Sequence, residues 1–146
     1  MAKHISNMDE LAKALQPVML GIVDELAERV YQTLNYFLQE YYNSYDPKSY
    51  RRQYDFLRSA VKVKSKVTGN KVVASVYIDT DYMDNYYNAT GEQVASWANQ
   101  GLHGGLDVGN NTPHVWDDTM KETIENGEIL KLAVEYLKRK GFSVRN

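Results

Sequence analysis

The chain contains no cysteine, so neither disulfides nor thiol chemistry can contribute to its fold or function. Three prolines and three phenylalanines are also few for 146 residues. No run approaches the roughly 20 apolar residues of a membrane span. Neither sign of charge dominates: 17 basic and 19 acidic side chains give a net charge of −2, without the basic excess of a dedicated nucleic-acid binder. Met1-Ala2-Lys3-His4 leads into an amphipathic segment rather than an apolar core, so no signal peptide is expected. Nucleophile elbow, Walker loop, dinucleotide fingerprint and His-Glu-x-x-His are all missing. The expectation is a protein without enzymatic activity and without a cofactor.

What the chain does have is tyrosine, twelve of them. A tyrosine offers apolar area with a polar tip, which suits surfaces that are wet before assembly and buried after it. The same property serves the rim of a core, so the count alone does not separate the two uses.

Periodicity gives the organisation. Asn7 can cap a helix beginning at Met8, with Asp9 and Glu10 in its first turn. Pro17 interrupts that pattern and is read as the first residue of a second, main helix running to about Tyr42. In it Ile22, Leu26, Val30, Leu34, Phe37, Leu38 and Tyr41 recur at three- and four-residue spacing. Such a helix would be roughly 40 Å long. Asp46-Pro47 ends it.

Val61, Val63, Ser65 and Val67 then alternate with Lys62, Lys64 and Lys66, a strand with one lysine-rich face. Gly69-Asn70 turns the chain into a return strand with Val72, Ala74, Val76 and Ile78 on one face and Val73 and Tyr77 on the other. Asp79 to Asn88 reads as an irregular loop. Thr90-Gly91-Glu92-Gln93 is a capping box opening a helix to Gly101, and Gly101 to Pro113 is a glycine-rich loop. One or two helices close the chain, from about Trp116 to Asn126 and from Glu128 to Lys140. The last is expected to turn Ile129, Leu130, Ala133, Val134 and Leu137 inward. The fold expected is one α+β domain over residues 1–146: a long N-terminal helix packed on a small antiparallel sheet (hairpin about 60–79), with C-terminal helices.

Two constellations invite a function. His103, Asp107 and His114, with Asp117 and Asp118 nearby, are suitable metal ligands. Their spacing matches no tight motif and a glycine loop does not preorganise ligands, so no metal site is assigned. Between Lys48 and Lys71, eight basic residues face the single acid Asp55, while Asp117, Asp118, Glu122, Glu125 and Glu128 form an acidic group downstream. A solvated strand face explains the lysines simply. Opposite charges meeting between subunits of a head-to-tail ring would explain both groups.

The segment Tyr45-x-Pro47-x-x-Tyr50-x-Arg52, the long helix before it, the hairpin after it, Gly101-Leu102-His103-Gly104-Gly105, Trp116-Asp117 and the helix from Ile129 to Gly141 together resemble a known pattern. It is that of small neck, head–tail joining and tail-completion structural proteins of long-tailed bacteriophages. The resemblance implies a virion structural protein, made in the host cytoplasm, that assembles as a ring around the DNA passage. Its partners would be copies of itself, neighbouring connector and tail proteins, and DNA passing without sequence-specific binding, with no membrane involved. Interface residues would then be Tyr45, Tyr50, Arg52, Lys62, Lys64, Lys66, Met83, Tyr86, Tyr87 and Trp116. For the first three, locking the helix–strand corner is preferred over direct contact with a partner. The alternatives are a nucleic-acid-binding or regulatory module and a metal-dependent hydrolase.

Overall fold

A computed structural model describes residues 6–47, 54–83, 89–109 and 111–144. Its spine is a single helix, α1, from Met8 to Asn43. Asn7 caps it as the sequence predicts, its Oδ1 accepting from the Glu10 N–H at 2.9 Å. The expected break at Pro17 is absent, and α1 runs straight through it, about 54 Å in all. Proline removes one helical N–H, which leaves the Lys13 carbonyl without its helical partner. Both residues are exposed, so water can satisfy that carbonyl, and the interruption costs too little to end the helix.

The hairpin follows: β1, Ala60–Thr68, and β2, Lys71–Ile78, paired antiparallel as a two-stranded sheet. Gly69 at the turn has φ of 62°, and Asn70 keeps an ordinary negative φ, the pattern of a II′ turn. Gly91–Asn99 forms α2, opened by the predicted capping box: Thr90 Oγ1 accepts from Gln93 N–H at 3.2 Å and Gln93 Oε1 from Thr90 N–H at 2.9 Å. The C-terminal part is α3, Val115–Met120, continuing through a π-helical stretch Lys121–Glu125, then α4, Glu128–Arg139. Two threonine hydroxyls bond back along this stretch, Thr119 to the Val115 carbonyl and Thr123 to the Thr119 carbonyl, each at 2.7 Å. That keeps both side chains satisfied although each is fully buried.

The core gathers around the C-terminal half of α1. Leu34, Leu38, Tyr41 and Tyr42 pack with Phe56, Ala60, Met83, Ala98 and Val115, flanked by Val76, Ile78, Val94 and Trp116. The N-terminal half carries the other two elements on adjacent stripes. Leu20, Asp24, Glu28 and Tyr31 meet the hairpin, while Gly21, Glu25 and Arg29 meet α4. One residue advances a helix by about 100°, so hairpin and α4 lie against neighbouring sides of α1 and turn their outer surfaces in different directions.

The inward turn expected of α4 holds only in part. Ile129, Ala133, Val134 and Leu137 are half-buried, but Leu130 is 70% exposed. Leu130 lies between Leu137 and Val134 around the helix, and both of those are half-buried, so its place in the first turn of α4 rather than the phase of the helix leaves it open.

Candidate assembly surface

Residues opposite one another across a ladder share a face. Ala60 with Ile78 and Lys62 with Val76 therefore face α1, while Val61 with Tyr77 and Val63 with Ser75 face away. Between Val63 and Lys66 the register slips by one residue, a β-bulge at Lys64-Ser65. Beyond it, Val67 with Val72 face α1 and Lys66 with Val73 face away.

This overturns the simple alternation of one valine face and one lysine face. Because side-chain direction has period two, a single extra residue moves every later side chain to the other side. The bulge is held by α1: the Ser65 N–H donates to Asp24 Oδ1 at 2.7 Å and its hydroxyl to the Leu20 carbonyl at 3.0 Å.

The three lysines consequently part company. Lys62 reaches over α1, where it pairs with Glu28 and lies 5.8 Å from the centre of the Tyr31 ring. It belongs to the packing between hairpin and helix rather than to an open charged face. Lys64 and Lys66 remain exposed, with Lys71 near the turn. The outward face carries Val63, Val73 and Tyr77, all exposed, Tyr77 to 44%. Among the described residues nothing covers this face and neither strand has a second neighbour. A two-stranded sheet is marginal by itself, so a side left open is a side available for packing.

The other predicted site residues fall elsewhere. Tyr45 is half-buried at the end of α1, its ring 5.0 Å from that of His103, so it closes the corner. Met83 is 8% exposed and belongs to the core, beneath α2, which removes it from any outer surface. Trp116 likewise packs against the core. Tyr50, Arg52, Tyr86 and Tyr87 lie outside the described residues.

His103 and His114 have structural roles. His103 is buried and stacks on Tyr41 with ring centres 4.1 Å apart and planes 11° apart, with Ser44 Oγ 2.9 Å from its Nε2. Its backbone pairs with Leu106 across Gly104-Gly105, whose φ values of 57° and 82° make a I′ turn open to glycine. Tyr41 Oη donates to the Leu102 carbonyl at 2.6 Å and so ties the same loop to α1. His114 lies at the start of α3, where its Nδ1 is 2.9 Å from the Asn99 carbonyl. Asn99 Oδ1 accepts from the N–H groups of Trp116 and Asp117, at 3.0 and 2.8 Å, and supplies the cap that His114 does not. Among the described residues no three His, Asp or Glu side chains converge to hold a metal ion.

Three carboxylates bear on how the surface stays in place. The Ser65 N–H at the bulge holds Asp24 below the usual carboxylate range, and the bond from Lys62 does the same for Glu28. At the start of α1 the Ser6 N–H lowers Glu10. A carboxylate with a lowered folded pKa stabilises the fold above its unfolded value, about 4, and that stabilisation is lost as pH falls through the lower folded value. The melting temperature should be flat from neutral pH to about 5 and then fall in acid. Asp24→Asn and Glu28→Gln together should flatten the acid limb. An unchanged limb in thermal melts of the double variant would show that these bonds do not couple hairpin to helix.

A family model matches residues 7–139, from the cap of α1 to the last residue of α4. The chain belongs to the YomN family. This is a family of phage origin, and the chain is accordingly a bacteriophage-type protein. No curated protein and no solved structure matches it. Among the described residues no helix is long and apolar enough to cross a membrane.

Proposed function

We propose that this YomN-family chain is a virion structural protein of the phage head–tail interface, a neck or tail-completion component that acts by ring assembly around the DNA passage. The observation that supports this most is the uncovered outer face of the hairpin. A phage protein that leaves valines and a tyrosine exposed on a two-stranded sheet has a surface suited to burial against a neighbour. Tyrosine on such a face gives area at little entropic cost and is a frequent anchor of protein interfaces. The phage origin of the family supports the virion setting, and the resemblance in the neck and tail-completion pattern supports the position.

Native mass by light scattering tests the assembly step. The wild-type chain should form a closed oligomer as concentration rises. Tyr77→Asp should keep its helical circular dichroism and melt normally, yet remain a monomer, because a buried unpaired carboxylate is costly at an interface and harmless in water. A wild-type chain that stays monomeric at every concentration, or a Tyr77→Asp variant that assembles as well as wild type, contradicts the reading.

A further inference from the structure

We infer that subunits join head to tail, the outer face of one copy's hairpin seating on the outer side of the next copy's C-terminal helices. The inference deepens the assembly reading and rests on it. Its starting point is that the chain exposes two unlike apolar surfaces. One is the hairpin face of Val61, Val63, Val73 and Tyr77. The other is on the C-terminal helices, where Ile124 is 49% and Leu130 70% exposed.

Their surroundings differ in charge. Lys64, Lys66 and Lys71 stand exposed on the hairpin, which carries no acid between Ala60 and Ile78. On the helices Asp117, Glu122, Glu125 and Glu135 are exposed alongside Lys121, Lys131, Lys138 and Arg139, and Glu122 and Glu125 stand on either side of Ile124 in the chain. A hairpin seated on another hairpin would bring lysine against lysine, so a two-fold contact through that face is disfavoured, whereas a hairpin seated over Ile124 brings its lysines to Glu122 and Glu125.

The geometry of α1 permits no shortcut within one chain. Hairpin and α4 occupy stripes of α1 about 100° apart, with their outer surfaces pointing different ways, so one copy cannot cover its own hairpin face with its own Leu130. Two different complementary patches on one subunit make a heterologous contact, which closes into a ring when the rotation per subunit divides a full turn.

The absence of cysteine makes the test direct. Val63→Cys and Leu130→Cys are prepared separately, checked by circular dichroism and native mass, then mixed and oxidised. The expected result is a disulfide-linked pair of chains in the mixture and none in either variant alone. Lys64→Glu with Lys66→Glu on the Val63→Cys chain should abolish the cross-link. Glu122→Lys with Glu125→Lys on the Leu130→Cys chain should restore it. An oligomer in which Val63→Cys links to itself shows hairpins meeting hairpins and overturns the inference while leaving assembly intact. An oligomer with no cross-link at all, or one whose yield ignores the charge reversals, overturns it as well. A mass that is monomeric throughout removes the assembly reading on which it stands.

Discussion

Leu38→Ala should lower the unfolding free energy by about 2–5 kcal/mol, a large fraction of the stability of a chain this size. Leu38 is 0% exposed and lies where α1 meets Phe56, Ala98 and Val115, so truncation removes apolar contact and leaves space that three different elements would have to close together. Those elements are anchored by their own bonds to α1. Tyr42 Oη accepts from the Leu57 N–H at 3.2 Å and Tyr41 Oη holds Leu102, which limits how far the site can collapse. The control is Leu130→Ala, a leucine at 70% exposure whose loss should change stability by less than about 0.5 kcal/mol. Urea unfolding of the two variants checks both values. Equal effects would mean that the α1 core and the α4 surface have been assigned the wrong way round.

Gly91→Ala should also destabilise, against the expectation from helix propensity. Alanine in place of glycine in a helix normally gains up to about 1 kcal/mol. A Cβ at Gly91 would stand 2.1 Å from the Thr80 carbonyl oxygen and 3.0 Å from its carbon, with Met83 Cε at 3.2 Å. The first two are backbone atoms of the turn Thr80–Tyr82, so α2 would have to lift off the core to make room. Overpacking of this kind costs about 1–3 kcal/mol or more, and it outweighs the propensity gain. Gly21→Ala makes the contrast. There a Cβ would come within 1.8 Å of Tyr136 Oη, the far end of a side chain that can swing outward, so the loss should be smaller. If urea unfolding shows Gly91→Ala stable and Gly21→Ala not, the packing of α2 against Thr80 is not as described.

Much of the fold was legible because local signals and packing agree. Asn7 and Thr90 sit where helix N-termini need an acceptor, Gly69-Asn70 turns the hairpin, and Gly141, with φ of 90°, stops α4. The spacing of Leu34, Leu38 and Tyr41 marks the core side of α1 correctly. Two features were not legible. Pro17 reads as a boundary because its missing N–H is a local penalty, whereas the helix continues through an exposed position where solvent meets that penalty. The bulge at Lys64-Ser65 carries no glycine or proline to announce it. It is fixed from outside the strand by Asp24, forty-one positions earlier in the chain, and a strand read alone cannot report a partner on a helix.

That bulge is what separates the lysines: Lys62, before it, turns to α1, and Lys66, beyond it, faces away. Reversing all three of Lys62, Lys64 and Lys66 to Glu would therefore set a glutamate against Glu28 and mix folding with assembly. Restricting the reversal to Lys64 and Lys66 addresses the outer surface alone. The Tyr41–His103–Tyr45 ring cluster shows the same lesson at the C-terminal end of α1. A histidine in a glycine loop looks like a ligand in sequence, and in the fold it is the plug that joins the loop to the helix end.

Labelling of intact particles reports where the chain sits. Particles of a phage encoding this chain, purified and labelled with a gold-conjugated antibody against it, should carry gold at the head–tail joint in electron micrographs. Gold confined to the capsid faces or the distal tail, or particles that hold none of the chain, would contradict the account.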